Sequence, residues 1–190
     1  MREIKSHSNK VGLCADTHGR IDLLEKLIDL HPAYEWFHIG DLVSFDQRAK
    51  NNSTVEKWYE THSSLLHWIK GNHDHTVAQN YIGVTHDFAW KIARWSDGIR
   101  VILPSRKNIL LYHSKPKDRI SFVDKGKYTE REFIDEYTDV DDDTLAVAIG
   151  HNHSQFKTVF PNVDAEIWSI GPLCEGKYAL YDGQFQFRSL

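Results

Sequence analysis

Cysteine is nearly missing from this 190-residue chain, which has only Cys14 and Cys174. Two thiols cannot build the disulfide framework of a small secreted domain, and they exclude a site made of thiolates. Cys14 sits inside an apolar run and reads as a buried free thiol. An excess of basic charge is missing too: 23 Lys and Arg stand against 27 Asp and Glu, a net charge of −4. No global positive field is then available to gather nucleic acid or an anionic membrane. No apolar run approaches the roughly 20 residues of a membrane helix. The opening residues, Met1 to His7, lack the apolar centre of a signal peptide, so a cytoplasmic protein is expected. Repeats, linkers and low-complexity tracts are also lacking, and a single domain over residues 1–190 is expected.

What the chain holds in plenty is histidine, 12 residues. Hydrophobic residues at 41% are enough for a sizeable core at this length. The apolar segments are short and end in polar clusters. Val11 to Ala15 reads as a buried strand running into Asp16-Thr17-His18-Gly19. By strand alternation Asp16 and His18 point the same way, half of a metal site. Asp16 also suits a helix cap. Ile21, Leu24, Leu27 and Ile28 then share one helical face, and His31-Pro32 ends it. Trp36 to Ile39 is a second strand, ending at Gly40-Asp41, with His38 expected in the core. Ser44 to Asn52 reads as a mobile polar loop. Ser53 to Glu56 reads as a capping box opening a helix through Trp58 and Tyr59.

Leu65 to Ile69 delivers Gly71-Asn72-His73-Asp74, a turn or a set of groups aimed at a metal or an anion. His62 and His67 read as surface or packing residues, and Trp90 and Trp95 as core. Arg100 to Leu103 and Asn108 to Tyr112 form a strand pair, and His113 follows the second. Lys115, Lys117 and Arg119 make a basic loop. Thr129 to Glu132 is a second capping box, for a helix through Tyr137. Asp139 and Asp141 to Asp143 read as a solvated linker, since they lack the glycine and terminal glutamate of an EF-hand loop. Thr144 to Ile149 is apolar throughout, as a strand covered on both faces should be, and ends in Gly150-His151-Asn152-His153. Strands at Phe156 to Phe160 and Glu166 to Ile170 follow. A hairpin, Tyr178 to Tyr181 against Phe185 to Phe187, turns at Asp182-Gly183.

In an α/β fold, strand carboxyl ends converge on one edge, where ligands bind. Asp, Asn and His ligands suit manganese, iron or zinc better than calcium, and their number suits two ions. In order, Asp-x-His, Gly-Asp, Gly-Asn-His-Asp, a lone His after an apolar strand, and Gly-His-x-His resemble the calcineurin-like metallophosphoesterase superfamily. The compact length is similar to its small phosphodiesterases. The resemblance implies a four-layer α/β/β/α sandwich with two mixed β-sheets. It implies one divalent ion on Asp16, His18, Asp41 and His153, and a second on Asp41, Asn72, His113 and His151. Manganese is the expected metal, with iron, zinc and nickel as alternatives. His73 would stabilise the transition state or protonate the leaving oxygen, and Asp74 would orient His73 from behind. Asn72 and Arg20 are candidate substrate contacts. The implied reaction is hydrolysis of a phosphodiester, or of a phosphomonoester, by in-line attack of a metal-bound hydroxide. The substrate would be a small phosphate ester, a nucleotide among the candidates.

The chain departs from the superfamily's pattern in places. Gly40-Asp41 is followed by Leu-Val-Ser-Phe-Asp rather than the Asp-Arg-Gly of protein phosphatases, which argues against protein phosphatase activity. Ser114 stands where many relatives have glycine, and Ser169-Ile-Gly-Pro172 only loosely matches their Asn-Pro-Gly-Ser. Two other classes stay open: a nuclease of short or single-stranded nucleic acid, and a non-catalytic protein-binding scaffold of the same fold.

Overall fold

Period-two alternation along short strands dictates the architecture. The computed structural model describes residues 1–114, 139–160 and 163–190. Its first sheet has five strands. β2 (Val11–Cys14), β3 (Glu35–Ile39) and β4 (Leu66–Ile69) run parallel, with Leu13 beside Phe37 and Phe37 beside His67. β10 (Lys177–Tyr181) pairs antiparallel with β2, and β11 (Phe185–Ser189) forms the outer edge. The second sheet has six strands, in the order β1 (Arg2–Lys5), β5 (Gly98–Ile102), β6 (Asn108–Tyr112), β7 (Thr144–Ile149), β9 (Val163–Ile170) and β8 (Gln155–Phe160). β6, β7 and β9 are parallel there, while the β5–β6 and β8–β9 pairs are antiparallel. Both sheets are therefore mixed.

Side-chain direction sorts the residues into layers. Val11, Leu13, Phe37 and Ile39 face Ile109, Leu111, Ala146 and Ala148, and this inner core joins the two sheets. The alternate residues Cys14 and Trp36 face outward, beneath four helices. These are α1 (Ile21–Leu30), α2 (Asn52–His62), α3 (Asn72–Asn80) and α4 (His86–Ala93). Leu24 and Leu27 of α1, Val55 of α2, Val77 of α3 and Phe88 of α4 are all buried in that layer. Each such Leu, Val or Phe contributes about 1.5–3 kcal/mol by leaving water. On the far face of the second sheet, Leu110, Tyr112, Val147 and Ile149 form a third cluster with Val140 and Phe156. Two mixed sheets with helices bear out the expected α/β fold, and all four helices among the described residues cover the first sheet. The expected helix from Thr129 and the basic loop at Lys115, Lys117 and Arg119 lie outside the described residues. No helix among the described residues is long and apolar enough to cross a membrane.

Several local expectations are corrected. Ser44 to Asn52 is not a plain loop: Gln47–Asn51 is a 3₁₀ helix that runs directly into α2, and Asn52 is fully buried. Because α2 is entered from an existing helical turn, Ser53 caps nothing. Glu56 instead accepts hydrogen bonds from the backbone N–H (3.0 Å) and the hydroxyl of Thr85, the residue that caps α4. Of the two tryptophans, Trp95 is core, whereas Trp90 is exposed beneath the Arg94 guanidinium, 3.5 Å from its ring centroid. The acidic run is solvated, as expected, and is also tied down. Asp141 pairs with Arg100 and accepts from Asn108 and Thr144, and Lys107 pairs with Asp143 at 3.0 Å. β1 carries no strand signal of its own; its Arg-Glu-Ile-Lys is an exposed edge strand defined only by pairing with β5.

Candidate metal centre

Strand ends from both sheets meet at one rim. Asp16 and His18 follow β2, Asp41 follows β3, and Asn72 and His73 open α3 after β4. His113 follows β6, and His151 and His153 follow β7. Asp16 and His18 do converge, but not by strand alternation, because β2 stops at Cys14. Asp16, His18, Asp41, His151 and His153 all have left-handed backbones, with φ between 48° and 65°. Only Tyr81 and Arg106 share that conformation among the other described non-glycine residues. Each such residue costs about 1–3 kcal/mol, a strain that clusters at functional sites.

The loops are fastened to one another. Asp16, His18 and Gly19 donate their N–H groups to the carbonyls of Gly40 (2.9 Å), Asp41 (3.0 Å) and Leu42 (2.9 Å). The Gly171–Cys174 turn adds Leu173 N–H to Ala15 O at 2.8 Å and Cys174 N–H to Asp16 O at 3.2 Å. His151 N–H donates to Asp16 Oδ2 (2.9 Å), and His73 N–H to Asp41 Oδ1 (2.8 Å). Glycine is required where these loops touch. A Cβ on Gly40, whose φ is +89°, would lie 2.4 Å from His113 Nδ1, and one on Gly71 would lie 2.1 Å from Asp41 Oδ1.

Asp74 does not stand behind His73. Among the described residues its carboxylate accepts from three backbone N–H groups, those of Asp41 (2.7 Å), Gly71 (2.9 Å) and Val43 (3.1 Å). Its role is to shape the loop that carries Asp41. Burial and the Asp41 charge raise its carboxyl, and the bonds from Gly71 and Val43 oppose that rise. The Nδ1 of His73 is met instead by the Phe45 N–H at 3.4 Å and lies 3.2 Å from Ser44 Oγ, and the Phe45 ring stacks on the imidazole. Nδ1 is then the acceptor, which puts the neutral ring's proton on Nε2. Ser44 and Phe45 escape sequence reasoning because nothing in a polar stretch marks which residue turns inward.

Three groups of ligand atoms each fall within 4.8 Å of one another: Asp16, His18 and His153; His18, Asp41 and His73; and Asp41, His113 and His151. Their chemistry fits divalent cations. His113 Nδ1 donates to the Ile39 carbonyl (2.8 Å), and its Nε2 lies 3.2 Å from Asp41 Oδ2 and 3.0 Å from Asn72 Oδ1. Atoms this close call for a positive charge between them, a proton on Nε2 in the metal-free protein or a cation in its place. Burial pulls the His113 imidazole down, but the Asp41 charge and hydrogen bond outweigh it and raise the group. His18 Nε2 and His153 Nε2 are 3.3 Å apart, and buried Asp16 Oδ1 has no hydrogen-bond partner among the described residues, with His153 Nε2 3.6 Å away. Burial pulls His18 to about 4, so its ring is neutral and free to ligate. His38 is core, as expected, with Nε2 2.7 Å from Thr17 Oγ1. Arg20 lies outside the three groups and forks onto Asp22 at 2.7 and 2.8 Å on the exposed start of α1.

Two sheets thus bring carboxylate, amide and imidazole groups to one rim and form a candidate divalent-metal centre. The model of the calcineurin-like phosphoesterase family matches residues 9–185, and the chain belongs to that family. It is accordingly a phosphoric ester hydrolase. Solved structures with the same fold include a hypothetical protein from Pyrococcus horikoshii OT3, with a TM-score of 0.71 and 11% identity over 95% of this chain and 87% of that one. A metallophosphoesterase from Sphaerobacter thermophilus gives 0.69 and 15% over 97% and 89%. A protein of Thermus thermophilus gives 0.60 and 14% over 96% and 99%. No curated protein sequence matches the chain.

Proposed function

We propose that this protein is a single-domain cytoplasmic phosphodiesterase that works with two divalent cations, manganese in the first place. The observation that supports it most is the set of three ligand groups linked through His18 and Asp41. One cation would be held by Asp16, His18, Asp41 and His153, the other by Asp41, Asn72, His113 and His151. Such a pair supplies the positive charge that phosphate oxygens and an attacking water need. The residues of the chain do the rest. Asn72 opens α3, whose first N–H groups favour an anion, so it doubles as a contact for the phosphate. Burial lowers the His73 imidazole, which is therefore neutral at pH 7 and offers its Nε2–H to the leaving oxygen as a hydrogen-bond donor. The substrate is a small phosphate ester, with a nucleotide among the candidates. A protein-binding scaffold would have no need of an intact ligand set.

A panel of phosphomonoesters, phosphodiesters and nucleotides, assayed with added manganese, tests this reading. The expected result is turnover of a diester, with Asp41→Asn losing both activity and bound metal. Full metal content and turnover in Asp41→Asn would reject the assignment.

A further inference from the structure

His73 is covered on one side by the Phe45 ring, with centroids 4.1 Å apart and planes 26° apart. Phe45 is nonetheless 44% exposed, one of a few large apolar side chains that the described fold leaves in water. Its N–H is committed to His73 Nδ1, so the turn holds the ring beside the imidazole proposed above to meet the leaving oxygen. The turn itself is braced: Ser44 Oγ donates to Asp46 Oδ1 at 2.9 Å, and Arg48 forks onto Asp46 through Nη2 (2.6 Å) and Nε (3.1 Å). An apolar ring held rigidly against a reacting imidazole, and open to water beyond it, suits a planar ligand.

We propose that Phe45 is the stacking platform of the leaving-group subsite, and that the site therefore selects phosphoesters of nucleosides over those of plain sugars and alkyl alcohols. The proposal rests on the phosphoesterase reading above and names its substrate class. Stacking of a base on an aromatic side chain strengthens binding by roughly 5- to 150-fold.

Titration calorimetry on manganese-loaded protein, with adenosine 5′-phosphate and ribose 5-phosphate as probes, tests it. The two share phosphate and sugar and differ only in the base. The expected result is at least about fivefold tighter binding of the nucleotide. Phe45→Ala should close most of that gap, and Phe45→Trp should keep or widen it. Equal affinities in the native protein, binding of neither probe, or a gap that survives Phe45→Ala would overturn the proposal. Metal content and diester turnover measured on the same samples separate the two levels. Protein that takes up manganese and hydrolyses a diester but binds both probes equally loses only the Phe45 assignment. Protein that takes up no manganese loses both.

Discussion

Replacing Gly71 with alanine adds one methyl group at the most crowded point of the rim. The backbone there has φ −93° and ψ −178°, which any residue adopts, so the effect is purely steric. The new Cβ would lie 2.1 Å from Asp41 Oδ1 and 2.5 Å from the Asp41 backbone nitrogen, more than an ångström inside ordinary contact at the first. Side-chain rotation alone cannot relieve a clash with backbone. The Asp41 loop must move, and with it the bonds from Asp41 N–H to Asp74 and from His73 N–H to Asp41. Overpacking of this kind costs about 1–3 kcal/mol of stability. A displacement near 1 Å at the reacting centre costs about 10²-fold in rate. Shifting Asp41, the carboxylate proposed to bridge the two cations, should also weaken metal affinity by about 10–100-fold, as loss of a supporting contact does. Emission spectroscopy for bound manganese, denaturant unfolding and kcat on an activated diester read the three effects. Gly71→Ala with native metal content and native kcat would refute the convergence of these loops on Asp41.

Asp74→Asn should act on metal binding rather than on His73. Its amide NH₂ leaves one of the three facing N–H groups unsatisfied, at about 1–3 kcal/mol. That is about 2–4 °C in Tm per kcal/mol for a chain of this size. Metal affinity should fall with it, and a drop in kcat at unchanged metal affinity would instead favour a role in orienting His73. The pH dependence of metal-free protein should report His38, whose ring burial lowers from 6.5 to about 3. The folded state binds fewer protons than the unfolded one in that window, so its contribution is whole above pH 6.5 and is lost as pH falls toward 3. The loss is on the order of a few kcal/mol. Denaturant melts between about pH 7 and 4 should be less pH-sensitive in His38→Phe, and parallel profiles would contradict this.

The candidate ligands were legible in the sequence because each is a polar group set directly after a short apolar run. The continuous apolar runs of β6 and β7 likewise marked them as strands buried on both faces. How the ligands meet was not legible. Left-handed turns at Asp16 and His18 belong to loops zipped against Gly40 to Leu42, a contact between segments more than twenty residues apart. The same holds for Asp74, whose neighbours along the chain say nothing of Val43 N–H. Ser53 satisfied the local rule for a helix start, yet the preceding 3₁₀ turn removed the need for one. Trp90 and Trp95 differ only in which side of α4 and its exit they occupy, and composition cannot tell them apart.

Asp16, His18, Asp41 and Asn72 hang from one sheet, and His113, His151 and His153 from the other. A cation held by members of both sets is a rivet through the seam of the sandwich. Under the proposed ligand set, occupancy would fasten the two halves of the molecule together, and the strength of the whole domain would rise with the concentration of free ion.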